Sequence, residues 1–248
     1  MPKDYYDGLH ELKKTLISSL RDLKYTTQKE NYEHNPVISN ASYSPWLTDE
    51  KFQEVYGTIK NYTLIDEYRC YTLWDISNQI RKIDGDILEV GVWRGGSSVL
   101  LSNGLNKNEE MYLADTFKGV VKAGENDTRY KGGEHSDTTL DLVESLLLKF
   151  VLPSQFTILE GIFPDDFRNC KFKNGLKLCH IDVDVFESAK TVFNYVWGKM
   201  VKGGIVIFDD YGFWGCEGIT DFVNQLKLDL KDGIVVYNLS GQALVIKN

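Results

Sequence analysis

Three things are scarce in this chain, and each scarcity removes a class of function. Cysteine is the first. The 248 residues hold four, Cys70, Cys170, Cys179 and Cys216, with no CxxC pair and no zinc-like spacing to the four histidines. That argues against a disulfide framework or a zinc module and leaves buried thiols in a reducing compartment. Long apolar runs are the second: none reaches the roughly 18 residues that a membrane span needs. The opening MPKDYYDGLHELKK also lacks the apolar stretch of a secretion signal. The expected location is therefore the cytoplasm, with no membrane partner. Basic charge is the third. Lys and Arg number 28 against 36 Asp and Glu, for a net charge of -8, which argues against nucleic acid as a partner.

What is present is the composition of a globular α/β protein, 42% hydrophobic and 26% charged. From Gly85 onward, short apolar runs alternate with longer amphipathic stretches. Strands are predicted at 86–91 (DILEVG), 111–115 (MYLAD), 156–160 (FTILE), 177–182 (KLCHID) and 204–209 (GIVIFD), then at 234–239 and 243–247. The early ones are near-continuously hydrophobic, as strands covered on both faces should be. Helices are predicted at 97–104, 138–150, 187–200 and 217–230. Alternation of this kind gives right-handed βαβ units and a doubly wound, mostly parallel, seven-stranded Rossmann-like sheet. Only a tight turn at 240–242 separates the last two strands, so they should form a C-terminal antiparallel hairpin at one sheet edge. Residues 1–83 read as a helical extension or cap, with helical patterns at 9–25 and 64–83 and a polar connector at 31–45. Residues 84–248 read as the main domain. Within it, 118–137 is a glycine-rich, charged stretch without periodicity, long enough to be a lid.

The chemistry lies at the ends of the predicted strands. The first runs into Glu89, Gly91, Gly95, Ser97 and Ser98. Glycines at such a turn let backbone approach a ligand closely, and an acid beside free N–H groups suits an amino-acid moiety. The spacing is not the G-x-G-x-x-G of a dinucleotide site. Asp115, followed by Thr116, ends the second strand, where a carboxylate can accept ribose hydroxyls. Gly161 and Phe163 follow the third, where backbone and an apolar ring can hold a base. Asp182 and Asp184 end the fourth, and Asp209 and Asp210 the fifth. Acids converging at adjacent strand ends repel one another unless a cation intervenes. Oxygen ligands without cysteine suit Mg²⁺, Mn²⁺ or Ca²⁺ rather than zinc. Asp182 is a candidate base as well as a ligand, His135 in the lid is a second candidate base, and Tyr211 and Trp214 are candidates for the acceptor wall.

EVGVWRGGSS, LADTFKG, HIDVDVFES and GGIVIFDDYG, in this order, resemble the macrocin O-methyltransferase family over residues from about 66 to the C-terminus. The resemblance implies a class I methyltransferase that uses S-adenosylmethionine and Mg²⁺ to methylate a sugar hydroxyl. It implies metal ligation by Asp182, Asp209 and Asp210, with one of these aspartates as base. It also implies the methionine end of the cofactor at 89–98 and its ribose at Asp115. Val183 and Lys118 depart from the usual residues at their positions. The expected partner is a small sugar substrate, with a nucleotide-linked sugar preferred over an antibiotic glycoside, and a homodimer or larger homo-oligomer is expected. A catechol-like phenol is the rival acceptor. An NAD-dependent oxidoreductase and a non-catalytic binding protein are the rival classes.

Overall fold

The computed structural model describes residues 3–21, 32, 34, 37 and 41–248, which fall into two units, one up to Tyr43 and one over Ser44–Asn248. The first unit holds helix α1 (Lys3–Arg21), on which Leu9, Leu12 and Leu16 are exposed. The predicted helix at 9–25 overlaps α1, and its last residues lie outside the described set, as does most of the connector at 31–45.

The second unit begins with α2 (Glu50–Ile59) and α3 (Glu67–Ile80). Asp49 caps α2, accepting from the Phe52 amide at 3.0 Å, and its other oxygen accepts from Trp74 Nε1 on α3 at 3.0 Å. Asp66 caps α3 through the Tyr68 and Arg69 amides. Both helices bury apolar residues in the core shared with the sheet, Phe52 and Ile59 from α2 and Cys70, Leu73 and Ile80 from α3. The larger unit therefore starts at Ser44 rather than at the expected boundary of 83/84, because α2 and α3 are part of its core.

The remaining elements alternate as predicted: β1 (Asp86–Val90), α4 (Gly96–Ser102), β2 (Met111–Asp115), α5 (Leu140–Leu147), β3 (Phe156–Glu160), β4 (Leu176–Ile181), α6 (Phe186–Val196), β5 (Met200–Phe208), α7 (Glu217–Asp229), β6 (Gly233–Tyr237) and β7 (Ala243–Lys247). The sheet order is β3-β2-β1-β4-β5-β7-β6. The first five are parallel, while β7 runs antiparallel to both β5 and β6. The hairpin thus folds back, so that its second strand lies against β5 and its first forms the edge. Pleat alternation divides the core. Ile87, Leu113, Leu178 and Ile207 face the layer of α2 to α5, while Leu88, Val90, Ile181 and Phe208 face α6 and α7. Strand order reverses between β1 and β4, so the loops leaving these two strands part and open a crevice at the carboxyl end of the sheet. Among the described residues, no helix is long and apolar enough to cross a membrane.

At the opposite, amino end of the sheet, Lys177 is fully buried and its ammonium is paired with Glu109. Glu109 also accepts from the Gly85 amide at 3.1 Å and the Asn106 amide at 2.7 Å. Glu109→Ala strands a buried ammonium and two amides, so denaturant unfolding should show a loss of about 3–5 kcal/mol. A loss below about 1 kcal/mol would show that the pair is not structural.

Candidate active site

The carboxyl ends of β1, β2, β4 and β5 surround a cavity of about 300 Å³. One wall is the turn between β1 and α4. Gly91 has φ 88°, and a methyl group there would overlap the Asp182 carbonyl oxygen. Only glycine lets the end of β1 run this close to the end of β4. Gly96 donates from its amide to the Tyr62 carbonyl at 2.9 Å, which ties the turn to the segment between α2 and α3. Tyr62, Leu64 and Ile65 from that segment line the cavity.

Of the residues expected to bind the cofactor, Gly91, Ser97, Asp115, Thr116, Gly161 and Phe163 line the cavity. Asp115 does so with part of its capacity in use. Its Oδ2 accepts from the Val92 and Trp93 amides at 2.7 and 2.9 Å, and its Oδ1 from the Phe117 amide at 2.7 Å. A carboxylate has about four acceptor positions, so little more than one remains for a ligand. Glu89, Gly95 and Ser98 are not brought to the cavity wall. Glu89 is the register partner of His180 and points with it toward the α3–α4 side. There it is fully buried, accepting from Ser98 Oγ and lying 2.9 Å from His180 Nδ1. Gly95 begins α4 and lies against Val143 of α5.

The opposite wall is acidic. Carboxylate oxygens of Asp182, Asp209 and Asp210 lie within 4.8 Å of one another, and Asp184, Asp210 and Cys216 form an adjoining group. Parallel pairing delivers them: the Asp182 amide donates to Val90, and the Asp209 amide to Ile181, continuing the ladder one step past β4 and β5. Asp184 and Asp210 have φ 62° and 63°, a left-handed conformation rare for non-glycine residues and concentrated at functional sites. Asp209 is the best satisfied. Its Oδ1 accepts from Gln242 Nε2 at 2.8 Å, with His180 Nε2 3.6 Å away, and its Oδ2 accepts from Arg69 Nη1. Burial works against its charge, but the adjacent His180 imidazole and the Arg69 guanidinium hold its carboxyl below the usual range. Burial, with the charge of Asp209, pushes Asp182 up to about 8. Burial and three neighbouring acids push Asp210 well above its ordinary value. Asp210 Oδ2 is buried without a hydrogen-bond partner among the described residues. A buried, unpartnered carboxylate oxygen beside two more carboxylates is a donor set that fits a hard divalent cation.

Arg69 was missed in the sequence. Its Nε pairs with Asp66 at 2.7 Å, its Nη1 lies 3.6 Å from Asp210 Oδ1, and its guanidinium sits 4.3 Å from the centre of the Phe213 ring. The only signal was an arginine on the buried face of a helix, beside Cys70 and Leu73.

The predicted lid at 118–137 is tied down at several points. The Val120 amide donates to Glu134 and the Gly133 amide to Val120, both at 2.9 Å. Asp127 accepts from the Phe186 amide at the start of α6, and Ser188 Oγ donates to the Val121 carbonyl. Tyr130, buried, lies 3.5 Å from His135 Nε2, and burial together with the neighbouring charge of Asp184 raises its phenol above the usual range. Tyr130, His135, Asp184 and Trp214 line the cavity. Tyr211 does not: it turns toward α7, where its hydroxyl donates to Asn224 at 3.0 Å, and its ring packs on Tyr237.

Gly91→Ala should cost about 2–5 kcal/mol, from a left-handed backbone and an overlap with Asp182. The folded fraction should also lose at least about tenfold in affinity for S-adenosylmethionine, the ligand that the resemblance implies, read by denaturant unfolding and calorimetric titration. Gly124→Ala, where a methyl group meets nothing within 4 Å, is the control and should change neither.

The chain is 28% identical over 166 residues to 8-demethyl-8-(2,3-dimethoxy-alpha-L-rhamnosyl)-tetracenomycin-C 4'-O-methyltransferase of Streptomyces olivaceus, over 58% of this chain and 63% of the relative. It is 27% identical over 173 residues to demethyldecarbamoylnovobiocin O-methyltransferase of Streptomyces niveus, over 64% of this chain and 65% of the relative. The matched stretch thus spans less than two thirds of the length of these curated relatives. The structure of the O-methyltransferase NovP superposes with a TM-score of 0.64 at 23% identity, covering 75% of this chain and 82% of that one. An O-methyltransferase from Bacillus cereus in complex with SAH does so with a TM-score of 0.54 at 14% identity, covering 94% and 97%. These structural likenesses are likenesses of fold. The family model described as macrocin-O-methyltransferase matches residues 4–234, which carries the resemblance beyond the predicted start near 66, into α1. From its N-terminal helix to the terminal hairpin, this chain belongs to the macrocin-O-methyltransferase family.

Proposed function

We propose that this protein transfers a methyl group from S-adenosylmethionine to a sugar hydroxyl, with Mg²⁺ or Mn²⁺ at Asp182, Asp209 and Asp210. One observation carries the reading. The glycine turn suited to the cofactor and the acid cluster suited to a cation touch each other at Gly91 and Asp182. A methyl donor in the one and an acceptor oxygen beside the other would be neighbours.

Each residue's part follows from its place. Gly91 and Ser97 line the space for the methionine end, and the remaining capacity of Asp115 faces the ribose. Gly161 and Phe163 bound the base. Glu89 acts from behind the wall, fixing Ser98 and His180. Asp182 stands between the two halves and accepts the proton that the acceptor hydroxyl loses. A divalent ion, when bound, supplies electrostatic stabilisation of the charge developing on that oxygen. Tyr130, His135, Asp184 and Trp214 hold the acceptor, and the tied-down 118–137 segment keeps water away. Arg129, exposed at the rim of the cavity, offers a cation to the phosphates of a nucleotide-linked sugar, the acceptor form we favour. The relative named for methylating a rhamnosyl-tetracenomycin supports a sugar as acceptor. A phenolic diol is the second reading, favoured by the aromatic side chains of Tyr130, Phe213 and Trp214 on the cavity wall.

The test is calorimetric titration with S-adenosylmethionine, followed by assays of nucleotide sugars, glycosides and catechols with and without EDTA. Micromolar cofactor binding and EDTA-sensitive methylation of a sugar are expected. Asp182→Asn should keep cofactor affinity within about threefold while turnover falls about 10²–10⁴-fold. Turnover that survives EDTA would discard the metal, turnover of catechols alone would discard the sugar, and absence of cofactor binding would discard the reading.

A further inference from the structure

Arg69 is placed unlike an ordinary surface arginine. It sits in the first turn of α3, 6% exposed. Asp66, which caps the same helix, anchors its Nε at 2.7 Å. Phe213 covers one face of the guanidinium at 4.3 Å. Its Nη1 then reaches Asp209 and stops 3.6 Å from Asp210. With Nε tied to Asp66 and the ring stacked on the guanidinium, the charge has little freedom to leave. Gln242 holds the other oxygen of Asp209, while Asp210 Oδ2 has no partner among the described residues. Part of the acid cluster is therefore satisfied from within the protein and part is left open.

We propose that Arg69 is a resident counter-cation and positioning residue. It balances Asp209 and Asp210 and fixes Asp209 when no divalent ion is bound, and the ion that enters shares those acids with it. The proposal rests on the reading of Asp182, Asp209 and Asp210 as a cation site. It makes a stronger statement: the ligand set is assembled before the ion arrives, and the fixed positive charge beside it weakens the ion's affinity. Loss of that charge should expose the protein to the repulsion of its own acids, and a divalent ion should relieve it.

The test uses the full chain and Mn²⁺ as the probe, with thermal unfolding in EDTA and in saturating Mn²⁺, and free Mn²⁺ counted by electron paramagnetic resonance. Arg69→Met should melt about 10 °C below the parent in EDTA. In Mn²⁺ that gap should shrink to less than half, with Mn²⁺ bound at least about tenfold more tightly than by the parent. Arg69→Lys, which keeps the charge but not the planar fork, should bind Mn²⁺ within about twofold of the parent. This holds the proposal to account should the methionine variant fail to fold. An equal melting gap with and without Mn²⁺ would make Arg69 a packing residue and overturn the proposal. So would unchanged or weaker Mn²⁺ binding by Arg69→Met, or a tenfold change in Arg69→Lys. A parent protein that binds no Mn²⁺ would overturn the cation site itself, a separate result visible before any variant is made.

Discussion

Asp182, Asp209 and Asp210 meet at one point, with Asp184 adjoining, because β4 and β5 are neighbours in a parallel sheet, and their mutual repulsion in a buried place is what the rest of the site must answer. Carboxylates so close cannot all remain charged without compensation. The protein supplies part of it. Arg69 comes from α3, Gln242 from the turn before β7, and His180 from within β4. Burial alone would lower the proton affinity of His180, but Asp209 and Glu89 raise it to about 10. Still without a hydrogen-bond partner among the described residues are Asp210 Oδ2 and His180 Nε2, and the proton affinities of Asp182 and Asp210 stay raised, a deficit that the proposed divalent cation would answer on the acid side.

The pleat of the sheet decides which side of this arrangement each residue joins. Ile87 and Glu89 face α3 and α4, whereas Leu88 and Val90 face α6 and α7. Glu89 is therefore one residue out of phase with a cavity-facing role. It becomes the far end of a chain running through His180 to Asp209, with Ser98 on its second oxygen. The glycine turn and the acid cluster also meet directly where Gly91 lies against the Asp182 carbonyl.

Much of this was legible in the chain. Strands buried on both faces write themselves as unbroken apolar runs, so β2 and β3 fell where predicted, and β1, β4 and β5 differed only at their ends. Helix α7, predicted at 217–230, buries Ile219, Phe222, Val223 and Leu226 at helical spacing. The acids were legible because strand ends are fixed by those runs. Helix α2 was not singled out, although Phe52, Val55, Tyr56 and Ile59 recur at helical spacing, because it is only ten residues long and fully buries just Phe52 and Ile59. Nor was Arg69, whose role depends on a partner 140 residues away. Glu89 was assigned by its neighbours in sequence, while its direction depends on strand phase. Tyr211 was drawn away by Asn224 and Tyr237, contacts that no local pattern announces. Asp127 and Thr128 look like loop residues, yet Asp127 is buried and anchors the segment to α6, and Thr128 bonds Glu217 at the start of α7.

The central claim is spatial: a divalent ion at Asp182, Asp209 and Asp210 lies beside the methyl group of the cofactor. The most direct measurement is electron–nuclear double resonance on the protein loaded with Mn²⁺ and S-adenosylmethionine carrying a ¹³C-labelled methyl group. The account predicts a resolved ¹³C coupling to the ion that disappears in Asp209→Asn, where the ion is no longer held. Bound Mn²⁺ and bound cofactor with no coupling between them would contradict it.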